Sequence, residues 1–349
     1  MRRETKKIKC GNLFIGGDAP IVIQSMTNTN TEDVRKTLEQ IKQLEKSGCE
    51  VARIAVPTMK AAEAVKEIVQ EANIPIVADI HFDYRLALKS IENGIHKLRI
   101  NPGNIGEESR VKEVVFKAKE KQVPIRIGVN GGSLSKQIIK KYGHTTPEAL
   151  VESAMEHIRI LEKYDFHDTI ISIKASNICT TVKAHELISD QVSYPFHLGI
   201  TEAGSNFRGT VKSSIGIGSL LLKGFGDTIR ASLTADPVEE IKVCKEILRS
   251  LGLREFGVNI ISCPTCGRTK TDMITIANKI ESALEGVDKN ITVAIMGCAV
   301  NGPGEAREAD LGVACGNNEG LIFKKGEILK KVHEEDIIST LLEEIEKYE

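Results

Sequence analysis

Three cysteines near the C-terminus have the spacing of a metal or redox site. Cys263 and Cys266 lie in the segment CPTCGR, directly after a short apolar run, and Cys298 follows a second such run. A CxxC pair alone is shared by zinc ribbons, dithiol redox sites and iron-sulfur clusters. A dithiol site needs only two thiols, and a structural zinc needs four good ligands, which no nearby histidine completes. The cysteine pattern therefore predicts an iron-sulfur cluster.

The fourth ligand would decide whether this cluster only carries electrons or also takes part in chemistry. Glu305, in the segment NGPGE, and Cys315 both follow Cys298 in the chain. Four thiolates favour electron transfer, whereas a carboxylate is a harder ligand that a substrate oxygen can displace. The Gly-Pro-Gly turn favours a tight reversal before Glu305. Spacing alone leaves Glu305 and Cys315 as equal candidates.

A second set of polar residues stands at the ends of apolar, β-branched runs earlier in the chain. The members with candidate roles are Arg53, Asp79, His81, Arg99, Arg126, Asn130, Lys174, Ser176, His197, Glu202 and Arg230. A single basic residue at a strand end is usually solvated, but four arginines and a lysine aimed into one cavity are costly unless an anion binds there. Bidentate arginine contacts suit phosphate oxygens. The set predicts a diphosphate site.

Strand-like runs must alternate with helices to position these side chains. The runs span 21–26, 51–56, 75–80, 97–101, 124–129, 169–174, 196–201 and 228–233. Amphipathic helical patterns lie between them, for example at 32–47, 60–72, 107–121, 147–163 and 237–251. Eight such units over about 250 residues, without a GxGxxG turn, predict a (β/α)8 TIM-type barrel rather than a doubly wound sheet. The carboxyl ends of its strands would form one mouth.

The pattern changes after residue 251. A strand at 257–262, a helix at 269–284, a strand at 291–296 and a glycine-rich turn predict a small α/β domain. The charged tail from residue 330 has apolar residues along one face and predicts a docked terminal helix. We expect a barrel domain over 1–252 that binds the diphosphate and an iron-sulfur domain over 253–349.

Composition restricts the class of partner. The 349 residues carry 47 basic and 48 acidic side chains, so net charge does not favour nucleic acid or a membrane surface. We see neither a signal peptide nor an apolar run near 18 residues. The eight cysteines are scattered through a long chain, which disfavours a disulfide framework. We expect a cytoplasmic enzyme with a small-molecule substrate.

Ordered motifs along nearly the whole chain resemble the 4-hydroxy-3-methylbut-2-enyl diphosphate synthases of the methylerythritol phosphate route to isoprenoids. These motifs are QSMT at 24–27, ADIHF at 78–82, LRINPGN at 98–104, RIGVN at 126–130, HLGITEAG at 197–204 and the two cysteine segments. The length resembles the short bacterial form, in which a barrel domain precedes a cluster domain.

The resemblance implies reductive ring opening and dehydroxylation of 2-C-methyl-D-erythritol 2,4-cyclodiphosphate, bound by the basic residues of the barrel. It implies a 4Fe-4S cluster on Cys263, Cys266 and Cys298, with Glu305 rather than Cys315 as fourth ligand. Glu202 is our candidate for proton handling, and Ser262 for contact with substrate or cluster. The resemblance further implies a head-to-tail homodimer and reduced flavodoxin or ferredoxin as the electron donor.

Two alternatives remain open from the residues. A barrel aldolase or phosphosugar isomerase with a structural zinc domain would use Lys174 to form a Schiff base. A non-enzymatic electron carrier would hold its cluster with four cysteines, and would have no use for an anion cavity.

Overall fold

The chain folds into two compact units. A computed structural model describes residues 2–105, 107–269, 271–298 and 307–348. Unit 1 is Met1–Arg254 and unit 2 is Glu255–Glu349. None of the described helices is long and apolar enough to cross a membrane. All eight cysteines are free thiols.

Unit 1 begins with a hairpin of two antiparallel strands, β1 (Ile8–Cys10) and β2 (Leu13–Ile15). Ile8, Cys10 and Ile15 pack in one buried cluster with apolar side chains from the amino-terminal parts of barrel strands, such as Val22 and Val51. The hairpin therefore closes the floor of the barrel, an element that the sequence patterns do not predict.

Within the described residues, eight parallel strands form the barrel sheet. They are β3 (Val22–Met26), β4 (Val51–Ala55), β5 (Ile76–Asp79), β6 (Lys97–Ile100), β7 (Ile125–Asn130), β8 (Thr169–Lys174), β9 (His197–Leu198) and β10 (Thr228–Ile229). Their order is β8-β7-β6-β5-β4-β3-β10-β9, and a parallel bridge between Ile171 and Phe196 links the two ends. The expected barrel is confirmed, although β9 and β10 are shorter than the runs that predict them.

Helices connect the barrel strands and cover the outside of the sheet. They are α1 (Val34–Lys46), α2 (Met59–Glu71), α3 (Tyr84–Glu92), α4 (Glu108–Glu120), α5 (Lys136–Tyr142), α6 (Pro147–Glu162), α7 (Ile178–Ser189), α8 (Asn206–Leu222) and α9 (Pro237–Ser250). Side-chain caps fix several starts: the hydroxyl of Thr58 accepts the backbone N–H of Ala61, and that of Thr146 accepts the N–H of Ala149. The caps end the loops at defined residues and so hold the strand ends in place.

The described part of unit 2 contains a mixed sheet beside two helices. Its elements are β11 (Asn259–Ser262), α10 (Met273–Leu284), β12 (Thr292–Met296), β13 (Leu311–Cys315), β14 (Glu319–Lys324), β15 (Glu327–His333) and α11 (Ile337–Glu346). The described strands follow the order β11-β12-β13-β14-β15, with β11, β12 and β13 parallel and the last two antiparallel. Apolar residues of α10, α11 and the sheet form its core.

The prediction of a helical tail from residue 330 is wrong for its first residues. Residues 330–333 belong to β15, which pairs with β14 at the edge of the sheet, and the helix begins only at Ile337. Lysines suit an exposed edge strand because they oppose pairing with another chain. Strand pairing across the sheet overrides the local pattern here.

Candidate active site

A cavity of about 310 Å³ opens at the carboxyl ends of the barrel strands. It is lined by Arg53, Asp79, His81, Arg99, Arg126, Gly128, Asn130, Ser172, Lys174, Thr201, Glu202, Arg230 and Ser232. The lining residues come from strands β4 to β8 and from the segments that follow the strands, and the carboxyl ends of parallel barrel strands meet at one mouth. Arg126 is the second residue of β7 rather than a residue of the strand end. The cavity falls in the size range of small-ligand sites.

Most of the residues singled out from the sequence in the barrel line this cavity; His197 and Ser176 do not, and neither does Ser262 of unit 2. His197 is buried, with its Nε2 atom 3.4 Å from Nζ of Lys174, so it stands behind the lining lysine. Ser176 is an exposed residue beyond the end of β8. Ser262 is the last residue of β11 and belongs to unit 2.

Sequence reasoning missed four lining residues, two of which lie in strands where a period-two argument would have found them. Gly128 stands two positions from both Arg126 and Asn130 in β7, and Ser172 precedes Lys174 by two in β8. Alternate residues of an extended strand face the same side, so Gly128 and Ser172 belong with these polar neighbours. Thr201 and Ser232, which lie beyond the ends of β9 and β10, complete the missed set.

Asp79 organises the basic residues on one side of the cavity. Arg99 Nη1 donates to Asp79 Oδ1 at 3.1 Å and lies 3.0 Å from His81 Nε2, and Arg53 Nε lies 3.8 Å from Asp79 Oδ2. Burial by itself would raise the pKa of the Asp79 carboxyl, but Arg53, His81 and Arg99 hold that pKa well below its usual range. Asp79 is therefore a carboxylate that orients two guanidinium groups.

Arg99 also requires a glycine beneath it. Its Nη2 donates to the carbonyl oxygen of Gly128 at 3.2 Å, and a β-carbon at Gly128 would lie 2.5 Å from Arg99 Nε. The side chain of Asn101 supports the same strand, because its Oδ1 accepts the N–H of Gly128 at 3.0 Å. Close approach of a side chain explains this glycine, and no unusual backbone angle is involved.

Arg126 and Lys174 are buried basic residues that pair with no carboxylate among the described residues. Arg126 is only 1% exposed; its Nη1 lies 3.5 Å from Gln24 Oε1, and its Nε has no partner among the described residues. Burial first, and then Arg126 and Arg53, lower the pKa of Lys174 well below its usual value. Burial, together with the charges of Arg126 and Lys174, also lowers the pKa of His197 well below its usual value.

These side chains give the cavity an unusual electrostatic character. A guanidinium stays protonated under ordinary conditions. The repulsion between the clustered basic groups is therefore relieved by Lys174 and His197, which can lose a proton. Burial also lowers the pKa of Arg53 to about 10. An anion in the cavity would relieve this repulsion.

Glu202 lies at the rim of the cavity in a rare backbone conformation. Its φ angle is 54°, in the left-handed region that non-glycine residues seldom adopt, and its side chain is exposed. Strained backbone of this kind is common at functional sites, where surrounding structure holds it. The carboxylate is positioned by the loop after β9 and reaches the cavity from solvent.

The cysteines of unit 2 come together at two adjacent strand ends. Cys263 directly follows β11, Cys298 lies two residues beyond β12, and these two strands pair in parallel. The N–H of Gly297 donates to Cys263 Sγ at 3.0 Å. The backbone N–H and the guanidinium of Arg268 lower the pKa of Cys266. The lowered pKa of Cys266 favours the thiolate form that binds iron.

The three cysteines can be compared with the ligand sets that metal centres require. Among the described residues, no three His, Cys, Asp or Glu side chains converge closely enough to hold one metal ion. A 4Fe-4S cluster is instead held by separate cysteine thiolates, and the loop ends carry three of them with N–H donors nearby. Glu305 lies outside the described residues. Cys315 is buried in the core of unit 2, where burial raises its pKa to about 11.

Comparisons with known proteins give a consistent result. Residues 5–245 match the family model of the GcpE TIM-barrel domain, and residues 259–347 match that of the GcpE protein C-terminal domain. A protein of Clostridium perfringens is 60% identical to this chain, and one of Clostridium tetani is 61% identical; each alignment covers 99% of both chains. A protein of Geobacter sulfurreducens is 55% identical, and the alignment covers 99% of this chain and 98% of the relative. Each of these relatives is named 4-hydroxy-3-methylbut-2-en-1-yl diphosphate synthase (flavodoxin).

Solved structures resemble the chain in fold alone. The sialic acid synthetase of Leptospira borgpetersenii has a TM-score of 0.52 at 12% identity and covers 81% of this chain and 98% of its own. A dihydropteroate synthase of Stenotrophomonas maltophilia has a TM-score of 0.52 at 9% identity, with 71% and 98% covered. Both likenesses support the barrel and say nothing about the reaction.

Proposed function

The chain belongs to the GcpE family, and on that premise we propose that it catalyses the reaction for which its relatives are named. The product would be 4-hydroxy-3-methylbut-2-enyl diphosphate, formed from 2-C-methyl-D-erythritol 2,4-cyclodiphosphate. The observation that carries the proposal is the convergence of Arg53, Arg99, Arg126, Lys174 and Arg230 on one cavity. The aldolase alternative is not favoured, because the relatives are synthases over the full length of the chain.

The basic residues would bind and orient the diphosphate. Arg99 and Arg53 are held in place by Asp79, and Arg126 and Lys174 are buried residues that line the same cavity. Ring opening frees a phosphate oxygen that gains negative charge, and fixed cations stabilise charge that develops during a reaction. Asn130 and His81 line the same cavity and would orient the sugar portion.

Glu202 would handle the proton for the leaving hydroxyl, which departs as water. The reaction breaks the ring C–O bond and the C–O bond to that hydroxyl, forms a C=C bond, and consumes two electrons and two protons for the fully protonated species. Glu202 is exposed at the rim of the cavity, so a surface that covers the rim would exclude water from its carboxyl group.

Cys263, Cys266 and Cys298 would hold a 4Fe-4S cluster, with Glu305 as the fourth ligand. When bound, such a cluster supplies electrons and a Lewis-acidic iron for a substrate oxygen. The chain's own contribution is the N–H that Gly297 donates to Cys263 Sγ and the hydrogen bonds from Arg268, which lower the pKa of Cys266. Ser262 precedes Cys263 and would contact either cluster or substrate.

The proposal includes a head-to-tail homodimer in which one chain's cluster domain covers the partner's barrel. Two phenylalanines near the barrel mouth are suited to such a cover: Phe82 is 75% exposed and Phe207 is 80% exposed. Reduced flavodoxin, which the relatives' names specify, or ferredoxin would donate the electrons. We assign the enzyme to the cytoplasm, where thiol ligands stay reduced.

Anaerobic turnover tests the proposed function directly. Protein purified without oxygen should convert the cyclic diphosphate to the linear diphosphate when a chemical reductant is supplied. It should also contain iron and acid-labile sulfide. A colourless protein with one zinc, no sulfide and no turnover would refute the proposal and support the aldolase alternative.

A further inference from the structure

Glu240 is a buried carboxylate that lies behind the cavity. It belongs to α9 on the outside of the barrel, is only 3% exposed, and does not line the cavity itself. Its Oε2 accepts the hydroxyl of Ser25 at 2.8 Å and Nε of Arg230 at 2.9 Å. Its Oε1 accepts Nη2 of Arg230 at 2.9 Å and the N–H of Leu233 at 3.2 Å.

These four bonds define how Arg230 enters the cavity. The two parallel bonds through Nε and Nη2 form a fork that fixes the plane of the guanidinium, which a single ion pair does not. The fork occupies one edge of Arg230, and Nη1 has no protein hydrogen-bond partner among the described residues. Because Arg230 lines the cavity, this free edge is available to an anion.

Glu240 also connects strands whose ends form the mouth. Ser25 lies in β3, and Arg230 directly follows β10, which pairs with β3 in the sheet. The carboxylate thus ties neighbouring strand ends to α9 at a point where like charges would otherwise push Arg230 away from Arg53. A network with every member satisfied holds a rigid geometry.

We infer that Glu240 is a positioning residue, which fixes Arg230 so that its free edge binds the anionic substrate at the barrel mouth. It acts through Arg230 and touches no substrate. The inference rests on the proposed function for the identity of the substrate, but the anion coupling it describes is measurable with inorganic pyrophosphate alone.

Pyrophosphate binding to the cluster-loaded enzyme, measured by calorimetry, tests this coupling. Glu240→Gln keeps the size of the side chain but presents an NH2 group to one arm of the fork. We expect roughly ten- to hundredfold weaker binding, as for a displaced binding group. Glu239→Gln is the matched control, because Glu239 is the preceding residue of α9 and pairs with Lys242 at 3.4 Å on the surface. The control should bind within about twofold of wild type.

A double-mutant cycle separates positioning from general support of the fold. In an Arg230→Met background, adding Glu240→Gln should change pyrophosphate affinity by less than about twofold, because the residue through which it acts is gone. Full additivity of the two substitutions would overturn the inference. If Glu240→Gln does not fold, Glu240→Asp keeps the charge and is too short to hold both Ser25 and Arg230. It should still weaken binding at least about threefold.

Turnover distinguishes this inference from the proposed function. If the wild-type enzyme binds pyrophosphate but does not turn over the cyclic diphosphate, the proposed function is refuted. The double-mutant cycle with pyrophosphate then still tests the role of Glu240. Wild-type enzyme that turns over, with KM unchanged in both Glu240 variants, would refute the inference and leave the function standing. Where both hold, KM should rise roughly tenfold in Glu240→Gln, with a smaller change in kcat.

Discussion

Nζ of Lys174 lies 3.4 Å from Nε2 of His197, and Nδ1 of the same imidazole lies 2.6 Å from the hydroxyl oxygen of Thr228. Both basic groups are buried, and Arg126, Arg53, Arg230 and Arg99 act on Lys174 from the surrounding strands. Burial and these neighbouring cations therefore lower the pKa values of Lys174 and His197. Protonation of this pair is coupled to occupancy of the cavity.

Anion binding should take up protons. A bound diphosphate offsets the guanidinium charges and raises the pKa of Lys174 and His197 towards their ordinary values. At any pH between the lowered and the restored pKa, the complex holds more protons than the free enzyme, so affinity falls as pH rises through that range. Pyrophosphate calorimetry in buffers with different ionisation enthalpies measures the uptake, which we expect to be about one proton near neutral pH.

Lys174→Met should reduce this proton uptake, and Lys183→Met, on the exposed face of α7, should leave it unchanged. Heats that do not depend on the buffer in the wild-type enzyme would contradict the coupling.

Gly128→Ala should weaken substrate binding without removing any charged group. The new β-carbon would lie 2.5 Å from Nε of Arg99 and displace its guanidinium from Asp79. Displacement of a binding group by about 1 Å can cost roughly a hundredfold in kcat/KM. Gly132→Ala is the control, because a β-carbon at Gly132 meets nothing within 4 Å. Steady-state kinetics of both variants make the comparison, and equal KM values would show that Arg99 does not need its present position.

The barrel and its cavity were predictable because both depend on local patterns. Each strand is a short apolar run, each helix is amphipathic, and the parallel arrangement alone brings Arg53, Arg99 and Lys174 to one mouth. Glu240 was not predictable in this way. It lies on a helix that contributes no strand end, and its contact with Ser25 joins residues 215 positions apart.

Burial of a residue by elements that are distant in the chain could not be predicted from the sequence either. Lys97 is the first residue of β6, where a lysine usually reaches solvent, yet it is fully buried. The β1 and β2 hairpin closes the barrel floor, and Cys10 of that hairpin is near enough to influence the pKa of Lys97. The environment of this lysine thus depends on a hairpin that is distant in the chain, and no pattern in the sequence around the lysine indicates it.

Lys97→Met should stabilise unit 1 in a pH-dependent way. Burial lowers the pKa of Lys97 from 10.5 to about 8, so at pH 7 the folded state holds a buried charge whose only side-chain hydrogen-bond partner among the described residues is Gln24, at 3.5 Å. Methionine removes that cost, and we expect about 1–3 kcal/mol more free energy of unfolding at pH 7.

The pH dependence of this gain has a definite sign. A basic group with a lowered folded pKa penalises folding fully below the folded pKa, and the penalty disappears above the unfolded pKa. The gain should therefore shrink between pH 8 and 10.5. Urea unfolding at pH 7 and at about pH 9.5 measures it. The exposed Lys66→Met is the control, with an expected change within about 0.5 kcal/mol at both pH values. A gain that does not depend on pH would contradict this account of Lys97.

Asp79→Asn should destabilise the empty enzyme more than the complex. The carboxylate accepts Arg99 and lies beside Arg53, so its loss leaves buried cations uncompensated at a cost of about 3 kcal/mol. A bound anion restores part of the lost compensation. The rise in Tm on adding saturating pyrophosphate should therefore be larger for the variant than for wild type, when both are compared at matched occupancy. Thermal unfolding with and without pyrophosphate measures both effects. Equal increases in Tm for the variant and wild type would indicate that Asp79 does not compensate the positive charges that bind the anion.

Glu305→Ala and Cys315→Ala should differ in their effect on iron content. Cys315 is buried in β13 among the apolar residues of the unit 2 core, so its replacement by alanine should cost about 1 kcal/mol of stability and leave iron and sulfide unchanged. Glu305→Ala should disturb both the cluster and turnover if the carboxylate is the fourth ligand. Cys263→Ala is the reference for loss of a thiolate, since Cys263 is at the end of β11 and accepts the N–H of Gly297. Iron and sulfide analysis of anaerobically purified variants decides the matter: loss of iron in Cys315→Ala together with an intact cluster in Glu305→Ala would assign the fourth ligand to the thiol and favour a simple electron carrier.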